Sequence, residues 1–90
     1  MQKHYNITIR GKVQGVGFRW ATLNSAKHFN ITGFVKNLPN GSVYIEAEGK
    51  VENLDAFKMW CNNGPSHSYI KSINISESQV ENFQDFNVKY

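Results

Sequence analysis

Apolar and polar residues alternate along Tyr5-Asn6-Ile7-Thr8-Ile9-Arg10, placing Tyr5, Ile7 and Ile9 on one face. That period of two predicts a half-buried strand. From Phe18 to Phe29 the period lengthens, and Phe18, Thr22, Ser25, Ala26 and Phe29 recur at helical spacing, with Trp20, Asn24 and Lys27 on the other side. Gly33-Phe34-Val35-Lys36-Asn37-Leu38 predicts a second strand, and Val43-Tyr44-Ile45-Glu46-Ala47-Glu48 a third. Between them Pro39-Asn40-Gly41-Ser42 carries the residues of a tight turn, so the two strands form a hairpin. A second helix is predicted over Val51–Asn62, with Leu54, Phe57 and Cys61 inward and Trp60 beside them; Gly64-Pro65 stops it. Tyr69 to Ile75 predicts a fourth strand, Ser76 to Gln84 a polar loop, and Phe86 to Tyr90 a short closing strand.

The order strand, helix, strand, strand, helix, strand, with a further terminal strand, predicts an α+β fold. It is the ferredoxin-like split βαβ arrangement, with two helices on one face of an antiparallel-rich sheet. The other face, bearing Thr8, Lys36, Glu46 and Glu48, is expected to be largely solvated. Ninety residues allow one core, so the expectation is a single domain over 1–90.

Composition narrows the classes. A single cysteine, Cys61, excludes an internal disulfide and a cysteine metal cluster, and its apolar helical neighbours predict a buried, inert thiol. His4, His28 and His67 show no metal-ligand spacing and are expected in solvent, so no metal is expected. Glu46 and Glu48 are expected on a solvated strand face, and Trp20 and Trp60 as packing residues at helix margins. The net charge of +3 comes from scattered lysines, which suits a small anion better than a nucleic-acid groove. No apolar run reaches the roughly 18 residues of a membrane span, and no signal-peptide h-region follows Met1. The expected location is cytoplasmic, the expected state monomeric.

The chemistry concentrates in Gly11-Lys12-Val13-Gln14-Gly15-Val16-Gly17-Phe18-Arg19, which joins the first strand to the first helix. Three glycines let the main chain turn sharply and gather N–H groups beside a helix N-terminus, an anion-binding arrangement. Arg19 adds a guanidinium fork that matches phosphate or carboxylate. The stretch is neither a P-loop, since Val16 stands where the second glycine belongs, nor a Rossmann fingerprint, whose third glycine would be Trp20. It suits a single phosphate. Asn37 shares strand parity with Val35, so its carboxamide points to the helix-covered side, where it can orient a water but not act as a base. Taken singly, Arg19 would read as a surface arginine and Asn37 as a turn asparagine.

These residues together resemble the acylphosphatase family: the nine-residue loop, the block Gly33-Phe34-Val35-Lys36-Asn37, and the ending Phe86-Asn87-Val88-Lys89-Tyr90, in that order along nearly the whole chain. The resemblance implies hydrolysis of the carboxyl–phosphate bond of small acyl phosphates without metal or cofactor. It implies that the amides of Gln14, Gly15, Val16, Gly17 and Phe18, with Arg19, bind the phosphoryl group, and that Asn37 holds the attacking water. Leu38 departs from the Thr or Ser of some relatives, Phe34 from a common tryptophan and Lys36 from a common arginine. Two other readings stay open. An inactive anion-binding module would use the same loop but has no need of Asn37. A single-stranded RNA binder would carry outward aromatics on the third strand, where this chain has Tyr44 and two acids.

Overall fold

The alternating segments become one five-stranded sheet. The computed structural model describes residues 1–90 as β1 (Gln2–Lys12), α1 (Phe18–His28), β2 (Thr32–Asn37), β3 (Val43–Lys50), α2 (Val51–Asn63), β4 (Tyr69–Ser78) and β5 (Phe86–Lys89). The strand order is β4-β1-β3-β2-β5. β3 lies antiparallel between β1 and β2, with Ile45 opposite both Ile7 and Val35, so β1 and β2 run parallel with a strand inserted between them. β4 pairs antiparallel with the far edge of β1, and β5 parallel with β2. This is the split βαβ arrangement, and neither helix is long and apolar enough to cross a membrane.

One sheet face is the core. Ile7, Ile9, Val35, Val43, Ile45 and Ala47 are fully buried against Phe18 and Ala26 of α1 and Leu54, Phe57 and Cys61 of α2. Trp60 closes the gap between the helices, edge-on to Phe18 and stacked on Phe57. Where β1 enters the glycine loop its pairing with β4 slips between Arg10 and Gly11, a bulge that turns the chain toward α1. The β2–β3 turn closes through Leu38 N–H donating to Ser42 O and Gly41 N–H donating to Leu38 O.

The opposite face corrects the expectation of a solvated surface. His4 and Glu48 are buried there, with Phe34 nearly so. The cause lies in the segment between β4 and β5, which folds back over β3. Glu48 accepts from the backbone N–H groups of Glu81 and Phe83, and the Phe83 ring packs against His4 and Phe34. β4 also runs three residues past its expected end at Ile75.

Candidate active site

Gly15 and Gly17 take φ of +75° and +77°. An L side chain in that region costs about 1–2 kcal/mol, so glycine is the residue that lets the loop double back twice within three positions. Gly17 is the N-cap of α1; no side chain caps the helix and no acid stands in its first turn. The first amides of a helix have no carbonyl partner a turn earlier, and the dipole leaves partial positive charge there. Neither a capping side chain nor a first-turn acid neutralises that charge here.

A pocket of about 170 Å³ opens at this point, lined by Val13, Gly15, Gly17, Phe18, Arg19, Trp20, Asn37, Val88 and Tyr90. It is small beside sites for drug-sized ligands, which start near about 300 Å³. A phosphoryl group and a water match its size; a nucleotide does not. Arg19 from α1 and Asn37 from the end of β2 meet in it. Arg19 Nη1 donates to Lys89 O at 3.4 Å, and the guanidinium lies over the Tyr90 ring with Cζ 4.6 Å from its centre. No carboxylate pairs with it: the ion pairs of the fold are Lys3–Glu77, Lys58–Asp55 and those of His4 with Glu46 and Glu48. Four of its five N–H donors are therefore available, held in place by a stack and one carbonyl. Asn37 Oδ1 is buried and accepts from no protein donor. Such an acceptor normally has a partner, and the fold supplies none.

The other loop residues divide by role. Gln14 turns its side chain away from the pocket and donates to Leu38 O and Ser42 O at 2.8 and 2.9 Å, tying the loop to the hairpin that carries Asn37. Val16 packs its side chain on the core, and Phe18 is buried in it. Trp20, expected to pack, is instead 66% exposed at the pocket's lip. Val88 and Tyr90 also line the pocket; the sequence marked them only as part of a closing strand, by its alternation and its likeness to the family's ending.

No Asp, Glu or His lines the pocket. The titrating groups with shifted behaviour lie elsewhere. Burial works against the His4 cation, but bonds to Glu48 and Asn6 and the charges of Glu46 and Glu48 outweigh it and raise its pKa above 6.5. Burial likewise pushes the Glu48 carboxyl up, yet the N–H of Glu81, the His4 bond and the N–H of Phe83 bring it below the usual range. Tyr44 is pushed up to about 12 by burial and its bond to Glu46, and Cys61 to about 12 by burial alone. His4, Glu46 and Glu81 gather three potential metal-ligand atoms within 4.8 Å. Both His4 nitrogens are already engaged, Nδ1 with Glu48 and Nε2 with Asn6 Oδ1 and Glu46, so the cluster is an ion network fastening a loop. The pocket itself offers a guanidinium, a carboxamide and the Tyr90 phenol as its polar side chains, apart from the Trp20 indole N–H.

Comparison with known proteins gives the family. The acylphosphatase family model matches residues 5–88. The chain is 38% identical to an acylphosphatase of Syntrophus aciditrophicus over all of this chain and 95% of that one. It is 40% identical to one of Archaeoglobus fulgidus over 93% and 94%. The crystal structure of acylphosphatase from Bacillus subtilis superposes with a TM-score of 0.95 at 36% identity, each chain covered in full. With sequence and fold alike end to end, this chain belongs to the acylphosphatase family, hydrolases of the carboxyl–phosphate anhydride bond.

Proposed function

We propose that the amides of Gln14 to Phe18 and the Arg19 guanidinium bind the phosphoryl group of an acyl phosphate while Asn37 aims the water that attacks it. Asn37 Oδ1 accepts one O–H of that water, leaving an oxygen lone pair directed at phosphorus. The water oxygen bonds to phosphorus as the bridging P–O bond breaks. The bonding pair departs with the carboxylate, and the water's protons pass to phosphate and solvent. A carboxylate is a stable leaving group, so neutralising the three equatorial oxygens and holding the reactants in line is the whole task.

The observation that carries this reading is the company the two residues keep: a guanidinium with no carboxylate partner and an unpartnered buried carboxamide oxygen share one small pocket that no Asp, Glu or His lines. The test is hydrolysis of benzoyl phosphate in EDTA by the wild type, Arg19→Ala and Asn37→Ala. Loss of one transition-state donor costs about 10²–10³ in kcat, or roughly 2.7–4 kcal/mol. Full turnover by Asn37→Ala would refute the water-holding role. Phosphate that raises the unfolding temperature of a wild type unable to turn over would favour the inactive anion-binding module.

A further inference from the structure

The pocket contains more aromatic surface than phosphoryl transfer uses. Trp60 is half-buried and packed against the core, beside Phe18 and Phe57. Trp20 has none: it is 66% exposed, stacks on no other ring, and stands next to Arg19 at the lip of the pocket. Single exposed apolar residues are ordinary on a protein surface. This one faces the same opening as Val88 and the exposed Tyr90, whose ring is fixed against the Arg19 guanidinium.

In-line displacement decides what this aromatic lip meets. Attacking and leaving oxygens lie on opposite sides of phosphorus. Asn37 Oδ1 is buried, so the water it holds lies on the inner side of the phosphoryl group, and the carboxylate departs outward. The acyl group of the bound substrate therefore projects from the cradle toward Trp20 and Tyr90. A methyl group there leaves the indole face in water; a flat ring covers it.

Resting on the assignment of Arg19 and Asn37 above, we infer that Trp20 is a specificity-determining residue, the wall of an acyl seat that favours aromatic acyl phosphates over short aliphatic ones. The contact forms on binding and persists through transfer, so its effect lies mainly in KM rather than kcat.

The test compares kcat/KM for benzoyl phosphate and acetyl phosphate in the wild type, Trp20→Ala, Trp20→Phe and Arg19→Ala. An aromatic pair is worth a factor of roughly 3 to 10, so the benzoyl-to-acetyl ratio should fall by about that factor in Trp20→Ala, through KM, and recover largely in Trp20→Phe. Because Trp20 lies outside the core, thermal melts should show each Trp20 variant folded. An unmoved ratio with the expected collapse in Arg19→Ala would overturn the acyl seat alone. Wild-type turnover retained in Arg19→Ala would overturn the phosphoryl site and the seat with it.

Discussion

Glu48→Gln tests the sheet face opposite the helices, where a buried carboxylate fastens the folded-back segment to β3. Glu48 is 2% exposed and accepts three N–H donors: Oε2 takes His4 Nδ1 at 2.7 Å and the Glu81 amide, and Oε1 takes the Phe83 amide at 3.0 Å. Glutamine keeps the shape but has one oxygen. Placed at Oε2, it turns its NH2 against the Phe83 amide; placed at Oε1, it turns the NH2 against both other donors. Either way a donor is stranded, and His4 loses its nearest counter-charge. Removing one member of a buried ion pair costs about 3–5 kcal/mol. Glu46 Oε1, 3.1 Å from His4 Nε2, still faces the cation and keeps the loss near the lower end, about 3 kcal/mol. For a domain of this size each kcal/mol is worth about 4–8 °C, so Tm should drop by roughly 12–24 °C at pH 6. Thermal unfolding followed by circular dichroism reads this directly, and a His4→Phe, Glu48→Gln cycle isolates the pair. A drop under about 4 °C would mean that Glu48 behaves as a screened surface carboxylate, and the closed outer face would be refuted.

Other consequences follow from single side chains. Gln14→Leu removes two donors from Leu38 O and Ser42 O and unfastens the cradle from the hairpin that bears Asn37. At about 1 kcal/mol net per hydrogen bond, kcat/KM should fall roughly tenfold or more, with phosphate inhibition weakened in parallel. Cys61, buried with its thiol pushed up to about 12, should resist a disulfide reagent at pH 8 in the native protein and react at once in guanidinium.

The strands, helices and glycine loop were legible because their cause is local. Alternation in β1 and β3, the Pro39-Asn40-Gly41 turn and the Leu54, Phe57, Cys61 stripe each need only a few adjacent residues to state their outcome. Asn37 was legible too, since strand parity with Val35 dictates its side. What escaped depends on distant segments. Whether Glu48 and His4 face water is decided by residues more than thirty positions away from Glu48, through Glu81 and Phe83. Phe83, the one aromatic in a stretch whose only other apolar residue is Val80, was the available hint. Trp20 escaped for the opposite reason: its helical phase fitted a margin position, and only the arrival of β5 beside α1 shows that the margin is the rim of a pocket.

The separation of the two polar clusters makes activity and stability respond differently to pH. No Asp, Glu or His touches the pocket, so kcat for folded enzyme should stay level between about pH 5 and 8, where histidine is the side chain that ordinarily titrates. An inflection that moves with the acyl group belongs to the substrate's own second phosphoryl ionisation and follows the substrate, not a variant. Stability behaves otherwise. The His4 pKa is raised above 6.5, so its stabilising contribution is complete below 6.5 and disappears as pH rises through the folded value. The Glu48 pKa is lowered below 4.5, so its contribution is complete above 4.5 and disappears as pH falls through the folded value. The pair therefore supports the fold most between pH 4.5 and 6.5. Tm measured against pH should be highest there, and the Glu48→Gln penalty should shrink on the alkaline side, where wild-type His4 has lost its charge. A histidine-like inflection in kcat that vanishes in a His4 variant would show that the two faces of the sheet are coupled, and a reaction driven by charge and alignment alone would no longer account for the enzyme.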